Sequence, residues 1–283
     1  MVSHGDSGAG AVESVVHAAR PVWRLDLVYE GTAFHGWARQ PGLRTVEGVL
    51  GEALARILRE PVRLSVAGRT DAGVHASAQV VSFVCSRHDL HPERLRHSLN
   101  AVLPPDAAVT RVSPAAAGFA AREGRSRTYR YRLWLSPVKP VHERAYVWDV
   151  RGGVDTGLLR EAAALLPGKR DFAALTPSAR LYHTCVREVL GALWMPCGEA
   201  GAGGGEAGAG GANGVAAGTE WAFEITAGSF LHNMVRVAVG SMVDVAQGRM
   251  TLEGFAEALA AGQRRRMGQT APARGLELVA VEY

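Results

Sequence analysis

Residues 23–29, Trp23-Arg24-Leu25-Asp26-Leu27-Val28-Tyr29, put a large apolar side chain at every second position. That is the period of a half-buried strand. Downstream, Val46, Val49, Leu50, Ala53, Leu54, Ile57 and Leu58 recur at helical spacing, with Thr45 as a helix N-cap and Pro61 beyond the end. Val62–Val66 and Gln79–Val84 read as strands, Pro92–Asn100 as a short helix opened by its proline, and Ala107–Ser113 as a last strand. The order β-α-β-β-α-β is the ferredoxin-like split unit, an antiparallel sheet with helices on one face.

The second part of the chain follows the same logic more loosely. A strand is predicted over Thr128–Leu135, a helix over Asp155–Leu166 ended by Pro167-Gly168, and strands over Arg187–Met195 and Glu220–Thr226. Phe230–Ala246 is almost wholly apolar and reads as a buried helix. A helix over Thr251–Ala261 and a strand over Leu276–Tyr283 complete the chain. The expected fold is α+β: two ferredoxin-like halves, residues 21–118 and 119–283, whose antiparallel sheets join into one long sheet with a cleft between them. Such clefts are where substrates usually bind. Residues 1–20 are small and polar and read as a disordered tail. Residues 198–218 hold ten glycines in 21 positions, too little side chain to offset the entropy of ordering, and read as a flexible insertion between strands.

Composition narrows the class without naming it. The 283 residues are 47% hydrophobic, carry a formal charge of +4 and have a sequence pI of about 9.2. That balance suits an anionic partner such as RNA as well as it suits a mildly basic protein with none. Three cysteines, with no Cys-x-x-Cys pair, suggest neither a disulfide framework nor a zinc ribbon. His183 and Cys185 are two possible ligands and no more, so no metal is expected. No stretch approaches the roughly 18 apolar residues of a membrane span, and the first residues lack a signal peptide's pattern. A cytoplasmic protein is the simplest expectation.

The chemistry concentrates in Ala67-Gly68-Arg69-Thr70-Asp71-Ala72-Gly73-Val74-His75-Ala76, between two predicted strands. It carries an acid flanked by glycines, with an arginine two positions earlier. A nearby cation favours the ionised form a nucleophile needs, and glycines let backbone approach a ligand. Taken by itself, an Asp in a hairpin loop more often bonds its own backbone.

This segment resembles the central motif of the tRNA pseudouridine synthase A family. Further matches follow in order: Tyr29-Glu30-Gly31-Thr32-Ala33-Phe34-His35-Gly36-Trp37, then Arg127-Thr128-Tyr129-Arg130-Tyr131, then Phe230-Leu231-His232-Asn233-Met234-Val235-Arg236, then Gly275–Tyr283. The likeness spans residues 23–283. His183-Thr184-Cys185-Val186-Arg187 departs from it, where relatives often carry a more basic run. The resemblance implies a cofactor-independent isomerisation of uridine to pseudouridine at positions 38–40 in the anticodon stem-loop of tRNAs, carried out by a homodimer. It implies Asp71 as the catalytic carboxylate and Tyr129 as the residue stacking on the flipped base and helping remove its C5 proton. Arg236 would pair with Asp71, and Arg69 would fill the space the base leaves. Arg39, Arg44, Arg122, Arg125, Arg127 and Arg264-Arg265-Arg266 are further phosphate-contact expectations.

Two other classes stay open. A non-catalytic RNA-binding module would use exposed aromatics on such a sheet, but the first half lacks the aromatic-rich RNA-recognition signature. A nucleoside hydrolase could also use Asp71, although glycoside hydrolysis usually employs two carboxylates.

Overall fold

The computed structural model describes residues 20–197 and 220–283. The expected insertion over 198–218, and the expected tail apart from Arg20, lie outside the described residues. The first part runs β1 (Val22–Tyr29), α1 (Val46–Leu58), β2 (Leu64–Val66), β3 (His75–Val84), α2 (Pro92–Val102) and β4 (Ala107–Ala115). The second runs β5 (Ser126–Trp134), β6 (Trp148–Asp149), α3 (Thr156–Ala164), β7 (Gly168–Asp171), β8 (Val186–Pro196), β9 (Glu220–Ala227), α4 (Met234–Ala246), α5 (Leu252–Ala260) and β10 (Leu276–Glu282). Among the described residues the fold is α+β, a single large, open, mostly antiparallel sheet with five helices. The strand order is β4-β1-β3-β10-β5-β9-β8-β7, with β2 on β3 and β6 on β5.

Local chemistry accounts for most of these elements. The Thr45 side chain accepts from the Gly48 amide at the start of α1, and Thr251 does the same for Gly254 at α5. Asp155 caps α3 rather than lying within it. In β1, Trp23, Leu25, Leu27 and Tyr29 are buried while the alternate residues are half-buried, as their period predicts. Their apolar row belongs to one continuous core that extends across both parts of the sheet, to Phe223, Val239 and Leu278.

Strand β3 decides where the site forms. Its far end, Val81–Phe83, pairs with β2, while its first residues, His75 and Ala76, pair in parallel with β10. Between these two partners, among the described residues, Ser77–Gln79 have no strand beside them on that edge, and the sheet opens. Periodicity placed the start of this strand at Gln79, four residues late, because its β10 partner lies some 200 residues away and leaves no local trace. Strands β6 and β7 were not anticipated; β7 is a short edge strand, Gly168-Lys169-Arg170-Asp171, with all four residues exposed. The apolar helix begins at Met234 and not at Phe230. Asn233 sits at φ 59°, ψ 7°, a left-handed conformation asparagine tolerates better than most residues, and there the backbone turns out of the helical path.

Candidate active site

The loop from Ala67 to Val74 lies backbone-to-backbone against the segment from Gly31 to Trp37. The Trp37 amide donates to the Thr70 carbonyl at 3.0 Å, and the Gly73 amide to the Phe34 carbonyl at 3.2 Å. Two glycines make this approach feasible. A Cβ on Gly31 would stand 2.0 Å from the Val74 carbonyl oxygen; one on Gly36, which has φ 83°, would stand 2.8 Å from the Thr70 oxygen. The Asp71 carbonyl accepts from the Val74 amide at 3.1 Å, closing a turn in which Gly73 takes φ 79°. Asp71 is thereby held at the turn's entrance with its side chain half-buried.

The start of α4 faces it. Arg236 Nη1 is 3.8 Å from Asp71 Oδ2, and its guanidinium is oriented by bonds to the Ala271 carbonyl (2.8 Å) and to Asn233 Oδ1 (2.7 Å). His232 Nε2 is 3.7 Å from Asp71 Oδ1. The other ring nitrogen of His232 is 2.8 Å from Ser178 Oγ, and its backbone amide donates to the Tyr182 hydroxyl at 2.9 Å. A cavity of about 690 Å³ separates the two walls, lined by Arg69, Asp71, Tyr129, Phe230, His232 and Asn233 among others. Among the described residues, Asp71 is the one carboxylate lining the cavity.

Tyr129 is buried, and its ring meets that of Phe230 edge-on at 5.1 Å. Burial pushes its phenol up; Tyr29 and the Asp71 carboxylate add to this and Arg127 opposes it. That direction is opposite to the activation a proton acceptor needs. Arg69 is exposed and makes no hydrogen bond or ion pair among the described residues. Of the four sequence-predicted residues, then, Arg69, Asp71 and Tyr129 line one cavity, and Arg236 stands behind Asn233 against Asp71.

The other arginines divide. Arg122 lines the cavity and is exposed, and Arg125 and Arg265 are also exposed. Arg127 is turned inward: it is 7% exposed and donates to the carbonyls of Ala67, Gly124, Gly228 and Arg122 at 2.6–2.8 Å. Its guanidinium ties both sides of the cleft together instead of facing a phosphate. Arg44 forms a two-bond pair with Asp106 and stacks on the Phe34 ring at 4.0 Å. Arg39 bonds the Gly48 carbonyl, and Arg264 bonds Gly268 and Thr270. Sequence reading singled out the segment containing His232 and Asn233 but gave neither a role. An asparagine directly before a long apolar run was the available signal, since it marks a helix entrance. Among the described residues no cluster of three His, Cys, Asp or Glu side chains is arranged to hold a metal, and no helix is long and apolar enough to cross a membrane.

A family model described as tRNA pseudouridine synthase matches residues 28–122 and 162–283. The chain belongs to the tRNA pseudouridine synthase family. Among curated relatives it is 42% identical over 267 residues to tRNA pseudouridine synthase A of Solidesulfovibrio magneticus, an alignment covering 92% of this chain and 90% of that protein. It is 37% identical over 261 residues to tRNA pseudouridine synthase A of Pelobacter propionicus, covering 92% and 98%. It is 34% identical over 261 residues to that of Geobacter sulfurreducens, again covering 92% and 98%. The matched residues include the Asp71 loop and the turn carrying His232 and Asn233, which line the cavity on its two sides, and Arg236 in α4.

Proposed function

We propose that the protein isomerises uridine to pseudouridine in tRNA, at positions 38–40 of the anticodon stem-loop, with Asp71 as the catalytic carboxylate. One observation carries the reading: among the described residues Asp71 is the sole acid lining a cavity of small-molecule size, with the Arg236 guanidinium 3.8 Å from it at the start of α4. The uridine leaves its stack, at a cost of a few kcal/mol, and enters the cavity. The Asp71 carboxylate attacks the nucleoside or stabilises the cationic sugar while the bond from ribose to N1 breaks. The base turns over and C5 bonds to the anomeric carbon as the Asp71 carboxylate leaves or ceases to face the cation. C5 then gives up its proton and N1 takes one up, so the net change is an isomerisation. Arg236 keeps the carboxylate oriented between these steps, Tyr129 supports the base, and Arg69 occupies the vacated position in the RNA.

The Tyr129 phenol is protonated at neutral pH, as any tyrosine is, and burial pushes its titration further up, which suits it to stacking and hydrogen-bond donation. For it to take the C5 proton, bound RNA would have to bring a cation closer. The protein acts as a cytoplasmic homodimer built from two ferredoxin-like halves, 21–118 and 119–283, that meet at the cleft, and it needs no cofactor. Release of tritium from tRNA labelled at uridine C5, with the modified position mapped, tests the reading. Free uracil in place of exchange identifies a nucleoside hydrolase; RNA binding with neither product identifies a non-catalytic module.

A further inference from the structure

Behind the Asp71 loop lies a buried polar chain outside the catalytic role proposed above. Tyr29, Thr70 and Gln79 are 5%, 6% and 0% exposed. Gln79 Nε2 donates to the Gly68 carbonyl at 2.8 Å and to the Tyr29 hydroxyl at 3.1 Å, and the Tyr29 and Thr70 hydroxyls are 2.8 Å apart. The three come from β1, the loop and the stretch of β3 where the sheet opens.

The donor order follows from chemistry. A carbonyl oxygen only accepts, so the Gly68 contact requires the Gln79 nitrogen, and not its oxygen, to face inward. Both amide protons are then committed, one to Gly68 and one to Tyr29. Tyr29 accepts from Gln79 and shares one further bond with the Thr70 hydroxyl, in which either oxygen can donate. Residues 68 and 70 are thus anchored from below, while 69 and 71, the alternate positions, present their side chains to the cavity. The Tyr129 hydroxyl rests on the same anchor point: a Cβ on Gly68 would lie 3.3 Å from it.

We propose that Tyr29, Thr70 and Gln79 are positioning residues that set where the Asp71 carboxylate stands relative to Tyr129 and the bound nucleotide. The network carries a cost, since Gln79 Oε1 is buried with no hydrogen-bond partner among the described residues, and an apolar cluster would hold β1 to β3 without it. What the network adds is direction, through bonds to one backbone carbonyl and one hydroxyl of the loop. A displacement of about 1 Å in a catalytic group costs roughly 100-fold in rate, and loss of one bond here should move Asp71 by part of that.

The inference rests on the synthase reading, and the experiment separates the two. Pseudouridine formation under single-turnover conditions is measured for wild type, Thr70→Val, Thr70→Ser and Tyr29→Phe, with tRNA affinity and melting temperature beside each. Thr70→Val keeps shape and removes the hydroxyl; it should lose about 10- to 100-fold in the single-turnover rate while tRNA affinity stays within about threefold. Thr70→Ser should restore most of the rate. Tyr29→Phe breaks the same bond and also the one from Gln79 to that hydroxyl, so it should lose at least as much rate as Thr70→Val, and the double variant should be no slower than Tyr29→Phe alone. A folded Thr70→Val protein with wild-type rate overturns the inference, as does equal loss in the valine and serine variants or multiplicative loss in the double. If Thr70→Val melts early, Tyr29→Phe carries the same comparison. No pseudouridine from the wild type defeats the functional reading instead.

Discussion

Arg236 and Asp71 face each other across the cleft with 3.8 Å between guanidinium and carboxylate, one from the start of α4 and the other from the loop before β3. The guanidinium bonds Ala271 and Asn233 more closely than it bonds Asp71. Asp71 is therefore faced by a cation but not locked to it, and its oxygens remain available to a sugar carbon.

Asp71→Asn keeps the size of the side chain and removes its charge. Turnover should vanish while tRNA affinity changes by less than about tenfold, or about 1.4 kcal/mol. Melting temperature should hold, because the loose pair contributes little and Arg236 keeps its two other bonds. Were the pair chiefly structural and buried, its loss would cost roughly 3–5 kcal/mol and the variant would melt early. Calorimetry beside the tritium assay distinguishes the two, and an Asp71→Asn protein that still isomerises uridine would defeat the assignment.

Tyr129→Phe removes the hydroxyl and leaves the ring packed on Phe230. Binding of tRNA should be retained and most turnover lost. Near-normal turnover would make Tyr129 a core residue like Tyr131 and Leu133 on the same strand face.

Arg127→Gln should act on stability and not on RNA contact. Four carbonyls from both sides of the cleft lose a charged donor. Bonds to charged groups contribute about 1.5–3 kcal/mol each, with incomplete additivity, so a loss of about 3 kcal/mol or more is expected in urea unfolding. The salt dependence of tRNA binding by the protein that remains folded should be unchanged; a shallower slope would return Arg127 to the phosphate contacts.

Alkaline pH should unfold the protein through its buried tyrosines. Burial pushes Tyr29 up to about 12 and raises Tyr129 and Tyr131 as well. A raised value in the folded state means stability is fully present below about pH 10, where unfolded tyrosine is still protonated, and is lost as pH rises from there. For Tyr29 alone the loss approaches roughly 2–3 kcal/mol by pH 12. Urea midpoints taken between pH 9 and 11.5 should fall steadily, and Tyr29→Phe should make the fall shallower. An unchanged slope in that variant would contradict the assignment.

Much of this was legible in residue order. The period-two row from Trp23 to Tyr29, the helical spacing from Val46 to Leu58 and the cap Thr45 are local signals, and each reappears in the structure. The Asp71 loop announced itself through the residue types that close backbone contact and a charged nucleophile require, and resemblance named its partners. The boundaries that failed did so where a distant strand or a single left-handed residue overrode local pattern, at His75 and at Asn233.

By itself, then, the order of residues determined most of the strands and helices, though not the short β6 and β7, and which few side chains have reactive chemistry. Tertiary structure alone decided how those side chains are shared out. Arg127 and Arg69 are indistinguishable as letters, yet one is drawn inward by four carbonyls and the other is left free at the cavity. His232 gained its place beside Asp71 only because β10 enters between β3 and β5 and brings the two parts of the chain together. The physical reason is range. Periodicity and capping arise from neighbours within a turn or two of chain, whereas a charge finds its partner across the sheet, at separations no local pattern encodes.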